Sequence, residues 1–118
     1  MIKILVVDDE EHIRNLISIV LTNAGYDVVT AKDGEDGLNK FNELSFDLVI
    51  TDLLMPKLNG DEIARHVHKS GRRVPIIGIT GTPWDIDLSY FDIVINKPFA
   101  LEAFIETIRE MANSRKII

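Results

Sequence analysis

Ile2-Lys3-Ile4-Leu5-Val6-Val7-Asp8-Asp9 opens the chain, and its reading decides the fold. Five of its first six residues are apolar, rich in β-branched types, and the run stops on two adjacent carboxylates. A short, nearly continuous apolar run of this kind reads as a strand buried on both faces of a parallel sheet. Two other runs end in the same manner. Asp47-Leu48-Val49-Ile50-Thr51 runs into Asp52, and Asp92-Ile93-Val94-Ile95-Asn96 runs into Lys97. Parallel strands point one way, so residues just past their C-terminal ends meet at one edge of the sheet. Open α/β folds place their sites there. Three carboxylates and an ammonium are therefore expected in one crevice, a constellation suited to a divalent cation with an anion beside it.

The runs between these strands complete the pattern. Strands are expected over about residues 2–7, 27–31, 47–51, 75–80 and 92–96, the second supported only by Val28, Val29 and Ala31. Ile13, Leu16, Ile17, Val20 and Leu21 recur at helical spacing, with Gly25 as the stop. Asp33 or Gly34 can cap a helix carrying Leu38, Phe41 and Leu44. Asp61 starts a third helix with Ile63, Ala64 and Val67 inward, and Gly71 ends it. After Pro98, the set Leu101, Phe104, Ile105, Ile108 and Met111 marks a last helix ending near Ala112. Strand–helix alternation implies βαβ units, with right-handed crossovers placing helices on both faces. The interval 81–91 breaks the rhythm: with Pro83 inside it, at most a short helix from about Trp84 to Tyr90 fits.

With 118 residues, 46% of them hydrophobic, the chain suits one domain with one core. A net charge of −6 argues against direct nucleic-acid binding, which needs clustered Lys and Arg. The absence of Cys removes disulfide and thiolate chemistry and suits a reducing cytosol. No apolar stretch is long enough to span a bilayer, and the N-terminus lacks the pattern of a signal peptide.

Oxygen-only ligands select a hard cation, and Mg²⁺ fits an acidic crevice that also receives a phosphate oxygen. Without it the three carboxylates repel one another, so at least one pKa should rise. Asp52 can attack phosphorus to give an acyl phosphate. Thr80, ending the fourth strand, offers a hydroxyl to the new oxygens, and Lys97 offers a charge.

The order Asp8-Asp9, Asp52, Thr80, Lys97-Pro98 resembles the receiver domain of two-component response regulators. The local text resembles it too: ILVVDDE, DLVITDLLMP followed by LNG, IIGITG, and NKPF. The resemblance covers residues 1–118 as a single receiver domain. It implies a flavodoxin-like doubly wound parallel sheet of five strands in the order 2-1-3-4-5. It also implies that Asp52 accepts a phosphoryl group from a phosphohistidine on a histidine kinase or histidine phosphotransfer protein. Asp8, Asp9, Asp52 and the backbone carbonyl of Leu54 would hold Mg²⁺, and Thr80 and Lys97 would bind the phosphoryl oxygens. The Lys97–Pro98 bond would be cis, and Gly60 would let the loop after Asp52 turn tightly. The family works in the cytoplasm, often with a fused or separate output domain, as a monomer or weak dimer.

Two departures stand out. Val94 occupies the position, three before Lys97, where family members usually carry an aromatic ring that moves on activation. The stretch from Thr80 to Lys97 is also shorter than the family norm, which clips the fourth helix. The usual output face is thus altered, and signalling by another route, or onward transfer of the phosphoryl group, is expected. Leu54 and Thr82, each two residues past a site residue, should flank the path of attacking water. Trp84 either covers the shortened loop as core or stands near the site. His12, His66 and His68 read as surface residues, and Arg72-Arg73 as a solvated turn.

The same residues bear on two other functions. A Mg²⁺-dependent aspartyl phosphatase would need a second acid two residues after the nucleophile, and Leu54 stands there. A degenerate receiver that binds a partner constitutively would not need the intact set Asp8, Asp9, Asp52, Thr80 and Lys97.

Overall fold

Lys3–Val7 forms β1, and its side chains alternate between two apolar layers. Ile4 and Val6 join one core cluster, with Ile17, Leu21, Phe104 and Ile108. Leu5 and Val7 join the other, with Phe41, Ile63, Ala64 and Val67. A strand covered on both sides has no polar face, which is why the opening run is apolar at nearly every position. The computed structural model describes residues 1–56, 58–81 and 87–117, with side chains to residue 113.

The remaining elements are α1 (Glu11–Asn23), β2 (Asp27–Ala31), α2 (Gly34–Glu43), β3 (Leu48–Asp52), α3 (Gly60–Lys69), β4 (Ile76–Thr80), β5 (Ile93–Asn96) and α4 (Leu101–Ile117). All strand pairs are parallel, in the order β2-β1-β3-β4-β5. Helices α1 and α4 cover one face, and α2 and α3 the other. The topology is the expected doubly wound one, with each strand within about a residue of its expected bounds.

Local chemistry explains the boundaries. The Asp33 carboxylate accepts a hydrogen bond from the Asp36 N–H at 2.8 Å and caps α2. Gly25, at φ +98°, ends α1 while the Tyr26 N–H donates to the Leu21 carbonyl at 3.1 Å. Helix α3 begins at Gly60 with Asn59 as its N-cap residue, so Asp61 lies within the first turn rather than capping it. The need for glycine at 60 is room, not an unusual φ: a Cβ there would collide with the Asp52 carbonyl oxygen.

Several assignments change. Leu16 is exposed, because the inward stripe of α1 centres on Ile17 and Leu21, and position 16 is turned about 100° from 17. Leu44 is exposed because it follows the end of α2 in extended conformation. Helix α4 runs to Ile117 instead of ending near Ala112, where a buried Ala112 still packs on the core. Arg72 is exposed, as expected, but it does more than fill a solvated turn. Its guanidinium donates to the Phe41 and Leu44 carbonyls at 2.6 and 3.2 Å and lies 4.9 Å from the Phe41 ring. It ties the end of α3 to the end of α2. His68 is exposed, as expected, and its ring lies 4.8 Å from that of Tyr90.

Among the described residues no helix lies between β4 and β5, and a turn over residues 88–91 is closed by the Phe91 N–H donating to the Leu88 carbonyl at 3.1 Å. The Phe91 ring seats on Gly78, where a Cβ would stand 3.0 Å from it and 3.1 Å from Leu53. An aromatic ring thus fills part of the layer that a full helix would cover. The start of the expected short helix, with Thr82 and Trp84, lies outside the described residues. No described helix is long and apolar enough to cross a membrane.

Candidate functional site

Three strand ends build the site. Asp8 follows β1 directly, and its N–H still donates to the Ala31 carbonyl of β2, at 3.2 Å. Its carboxylate is buried. Oδ1 accepts from the Glu10 N–H at 2.9 Å, while Oδ2 is buried with no hydrogen-bond partner among the described residues. Asp9, one residue on, is exposed. Asp52 closes β3 and is only 5% exposed. Its Oδ1 accepts from the Leu54 N–H at 3.3 Å, and its Oδ2 from Lys97 Nζ at 3.2 Å. One carboxylate oxygen from each of Asp8, Asp9 and Asp52 lies within 4.8 Å of the others.

Strands β4 and β5 bring the remaining groups. Thr80 ends β4, fully buried, one residue beyond the Ile79 that pairs with Asp52. The Lys97 N–H donates to the Thr80 carbonyl at 2.8 Å, so the ladder holds Thr80 and Lys97 abreast. The Lys97–Pro98 peptide is cis. Lys97 Nζ also approaches Glu10 Oε1 at 4.0 Å. Sequence reasoning therefore placed Asp8, Asp9, Asp52, Thr80 and Lys97 at one sheet edge correctly. The Leu54 backbone adjoins them while its side chain is 52% exposed.

Arg14 is the neighbour that sequence reasoning missed. Its Nη1 donates to the Asp8 carbonyl at 2.9 Å. It also lines a groove of about 480 Å³ beside the carboxylates, with Asp9, Lys32, Asp33 and Pro56. The available signal was its place beside Ile13 and Ile17 on α1, which turns it toward the sheet edge. A larger cleft of about 690 Å³ lies at the opposite edge of the sheet, around Pro75, Ile76 and Asp92.

The electrostatics follow from burying like charges. Burial pushes the Asp8 carboxyl up to about 6; the Asp52 charge adds to this, and the Glu10 N–H and Lys97 oppose it. Burial also raises Asp52, against the pull of Lys97 and the Leu54 N–H, with Asp9 repelling it. For Lys97 burial favours the neutral amine, but Asp52, with Asp8 and Glu10, outweighs it and raises its pKa. A purely oxygen donor set with an unpartnered buried oxygen fits a hard cation such as Mg²⁺, which would relieve the repulsion. A carboxylate between such a cation site and an ammonium is placed to receive and hold a phosphoryl group.

Fold and site together define a class: a small doubly wound domain whose acidic crevice suits a hard cation with an anion beside it. Residues 4–109 match the family model described as the response regulator receiver domain, and the chain belongs to that family. The chain is 34% identical to response regulator RR06 of Streptococcus pneumoniae, over 98% of the chain and 55% of that protein. It is 41% identical to the alkaline phosphatase synthesis transcriptional regulatory protein PhoP of Bacillus subtilis, over 72% of the chain and 35% of that protein. The chain thus spans about half the length, or less, of these curated relatives. Among solved structures, response regulator TrrA of Thermotoga maritima, in complex with Mg²⁺-BeF, superposes with a TM-score of 0.87. It is 35% identical, over 94% of this chain and 99% of that one.

Proposed function

We propose that Asp52 is the phosphoacceptor of this receiver domain, loaded from a phosphohistidine on a histidine kinase or histidine phosphotransfer protein. The observation that carries this reading is the placement of Asp52. Its carboxylate is buried, one oxygen is held by Lys97 at 3.2 Å, and the acidic pair Asp8-Asp9 lies beside it. An Asp52 oxygen attacks phosphorus and forms the new O–P bond. The P–N bond of the donor breaks, its electron pair stays on the imidazole nitrogen, and that nitrogen then takes a proton from solvent. Asp8, Asp9, Asp52 and the Leu54 carbonyl would hold Mg²⁺. When bound, Mg²⁺ supplies positive charge against the phosphoryl oxygens in transit. Lys97 neutralises a second phosphoryl oxygen, and the Thr80 hydroxyl donates to it. The domain catalyses only its own phosphorylation and dephosphorylation.

Residues 1–118 act as one receiver unit in the cytoplasm, as a monomer or weak dimer, without contacting nucleic acid directly. The greater length of the relatives supports an output domain, fused or separate. Leu16 and Ile19, 42% and 59% exposed one turn apart on α1, offer an apolar surface for a helical partner.

Incubation with acetyl phosphate and Mg²⁺, read by intact mass, tests this reading on wild type and Asp52→Asn. The expected result is an adduct of one phosphoryl group on wild type and none on the variant. No adduct on wild type would favour a constitutive interaction module.

A further inference from the structure

We propose that Arg14 is a positioning residue for the cation site, fixing the peptide plane between Asp8 and Asp9 so that both carboxylates aim at one point. The proposal rests on the Mg²⁺-dependent reading above and deepens it.

Successive side chains of an extended strand point to opposite sides. Asp8 and Asp9 can therefore bring carboxylate oxygens within 4.8 Å of Asp52 and of each other only if the backbone turns between them. The turn is visible in the hydrogen bonds. The Asp8 N–H is still in the sheet, donating to Ala31, but the Asp8 carbonyl has left the ladder and accepts from Arg14 Nη1 at 2.9 Å. That carbonyl belongs to the peptide joining Asp8 to Asp9, so its direction sets where the Asp9 side chain departs. Asp9 is exposed, so packing does not aim its carboxylate; the peptide plane does.

Arg14 grips the turn twice. Its backbone N–H donates to the Glu10 carbonyl at 2.9 Å, while its side chain holds the Asp8 carbonyl. The Glu10 N–H, in turn, holds Asp8 Oδ1 at 2.9 Å. Removing the guanidinium leaves the Asp8 carbonyl free to rotate toward water, and Asp9 swings with it. Partners that orient metal ligands without touching the metal typically change affinity about 10- to 100-fold when removed.

The sign of the effect separates positioning from charge. Deleting a cation beside an acidic site would, on charge alone, tighten cation binding. Loss of positioning weakens it. The test is calorimetric Mg²⁺ titration of the chain as wild type, Arg14→Met and Arg14→Lys, with thermal melts in chelator as the check on folding. The expected result is cooperative melting of all three and a Kd for Mg²⁺ raised about tenfold or more in Arg14→Met. Arg14→Lys, which keeps the charge but not the planar fork, should lie between. The rate of phosphorylation by acetyl phosphate should recover at saturating Mg²⁺, since the chemical groups remain. A Kd within twofold of wild type, or a tighter one, in Arg14→Met would overturn the proposal. Should that variant fail to fold, an unchanged Kd in Arg14→Lys overturns it. A wild-type chain that binds no Mg²⁺ overturns both this proposal and the reading beneath it.

Discussion

Asp8 is a carboxylate kept in place against its own electrostatics. Its acid form is favoured in the folded protein, where burial lifts it from 3.8 to about 6. Between those pH values the folded protein holds a proton that the unfolded chain has lost. Metal-free stability therefore falls as pH rises through that window and stays low above it. At about 1.4 kcal/mol per pH unit, the rise from 3.8 to about 6 comes to about 3 kcal/mol at most. Asp8→Asn keeps the Oδ1 acceptor for Glu10 but removes the charge. In chelator at pH 7.5 it should melt roughly 5 °C or more above wild type, and it should no longer bind Mg²⁺. A variant that melts at or below the wild-type temperature contradicts the repulsion. Leu54 sets a second expectation at this scale. Its exposed apolar side chain beside Asp52 cannot orient water. Leu54→Asn should hydrolyse its acyl phosphate severalfold faster, measured as decay of the phosphorylated mass, and equal lifetimes would refute this. These residues were legible in the sequence because carboxylates and a lysine at strand ends carry a chemical signature. Arg14 was not, because an arginine on an amphipathic helix is usually a solvated one.

The elements show where pattern reading works and where it stops. The strands were legible because both faces are covered, so each is an unbroken apolar run bounded by polar residues. Helix ends were less so. Residues 113–117 carry no apolar stripe at helical spacing, and α4 continues there by propagating from its packed core around Phe104 and Ile108. The Arg72 clamp spans 28 and 31 residues to its two acceptors, a separation no local pattern reports. The described residues of the β4–β5 interval form no helix, in keeping with the expected lack of room, but the packing of Phe91 on Gly78 needs two distant positions to be seen as one contact. It also gives an aromatic ring a place beside Leu53 and β4, although Val94 lacks one. Gly78→Ala should push against that ring at 3.0 Å and cost about 1–3 kcal/mol in denaturant unfolding. A change under about 0.5 kcal/mol would mean that Phe91 yields freely.

Across the whole molecule, one topological fact organises the site. Parallel strands in the order β2-β1-β3-β4-β5 deliver Asp8, Asp52, Thr80 and Lys97 to the same edge. The two layers of helices leave that edge open. No described helix lies between β4 and β5, and Val94 carries no ring, so we propose that the surface around β5 departs from the dimer face expected from the family resemblance. Sedimentation of the chain with and without acetyl phosphate should show no phosphorylation-dependent symmetric dimer; such a dimer would restore the usual output route. Asp52 is the proposed acceptor at that edge. The most direct measurement is borohydride reduction of the chain after treatment with acetyl phosphate and Mg²⁺, followed by peptide mapping, since reduction converts an aspartyl phosphate to a stable alcohol. The expected result is one modified position, Asp52, lost in Asp52→Asn. Reduction at Asp8 or Asp9, or at no residue, would contradict it.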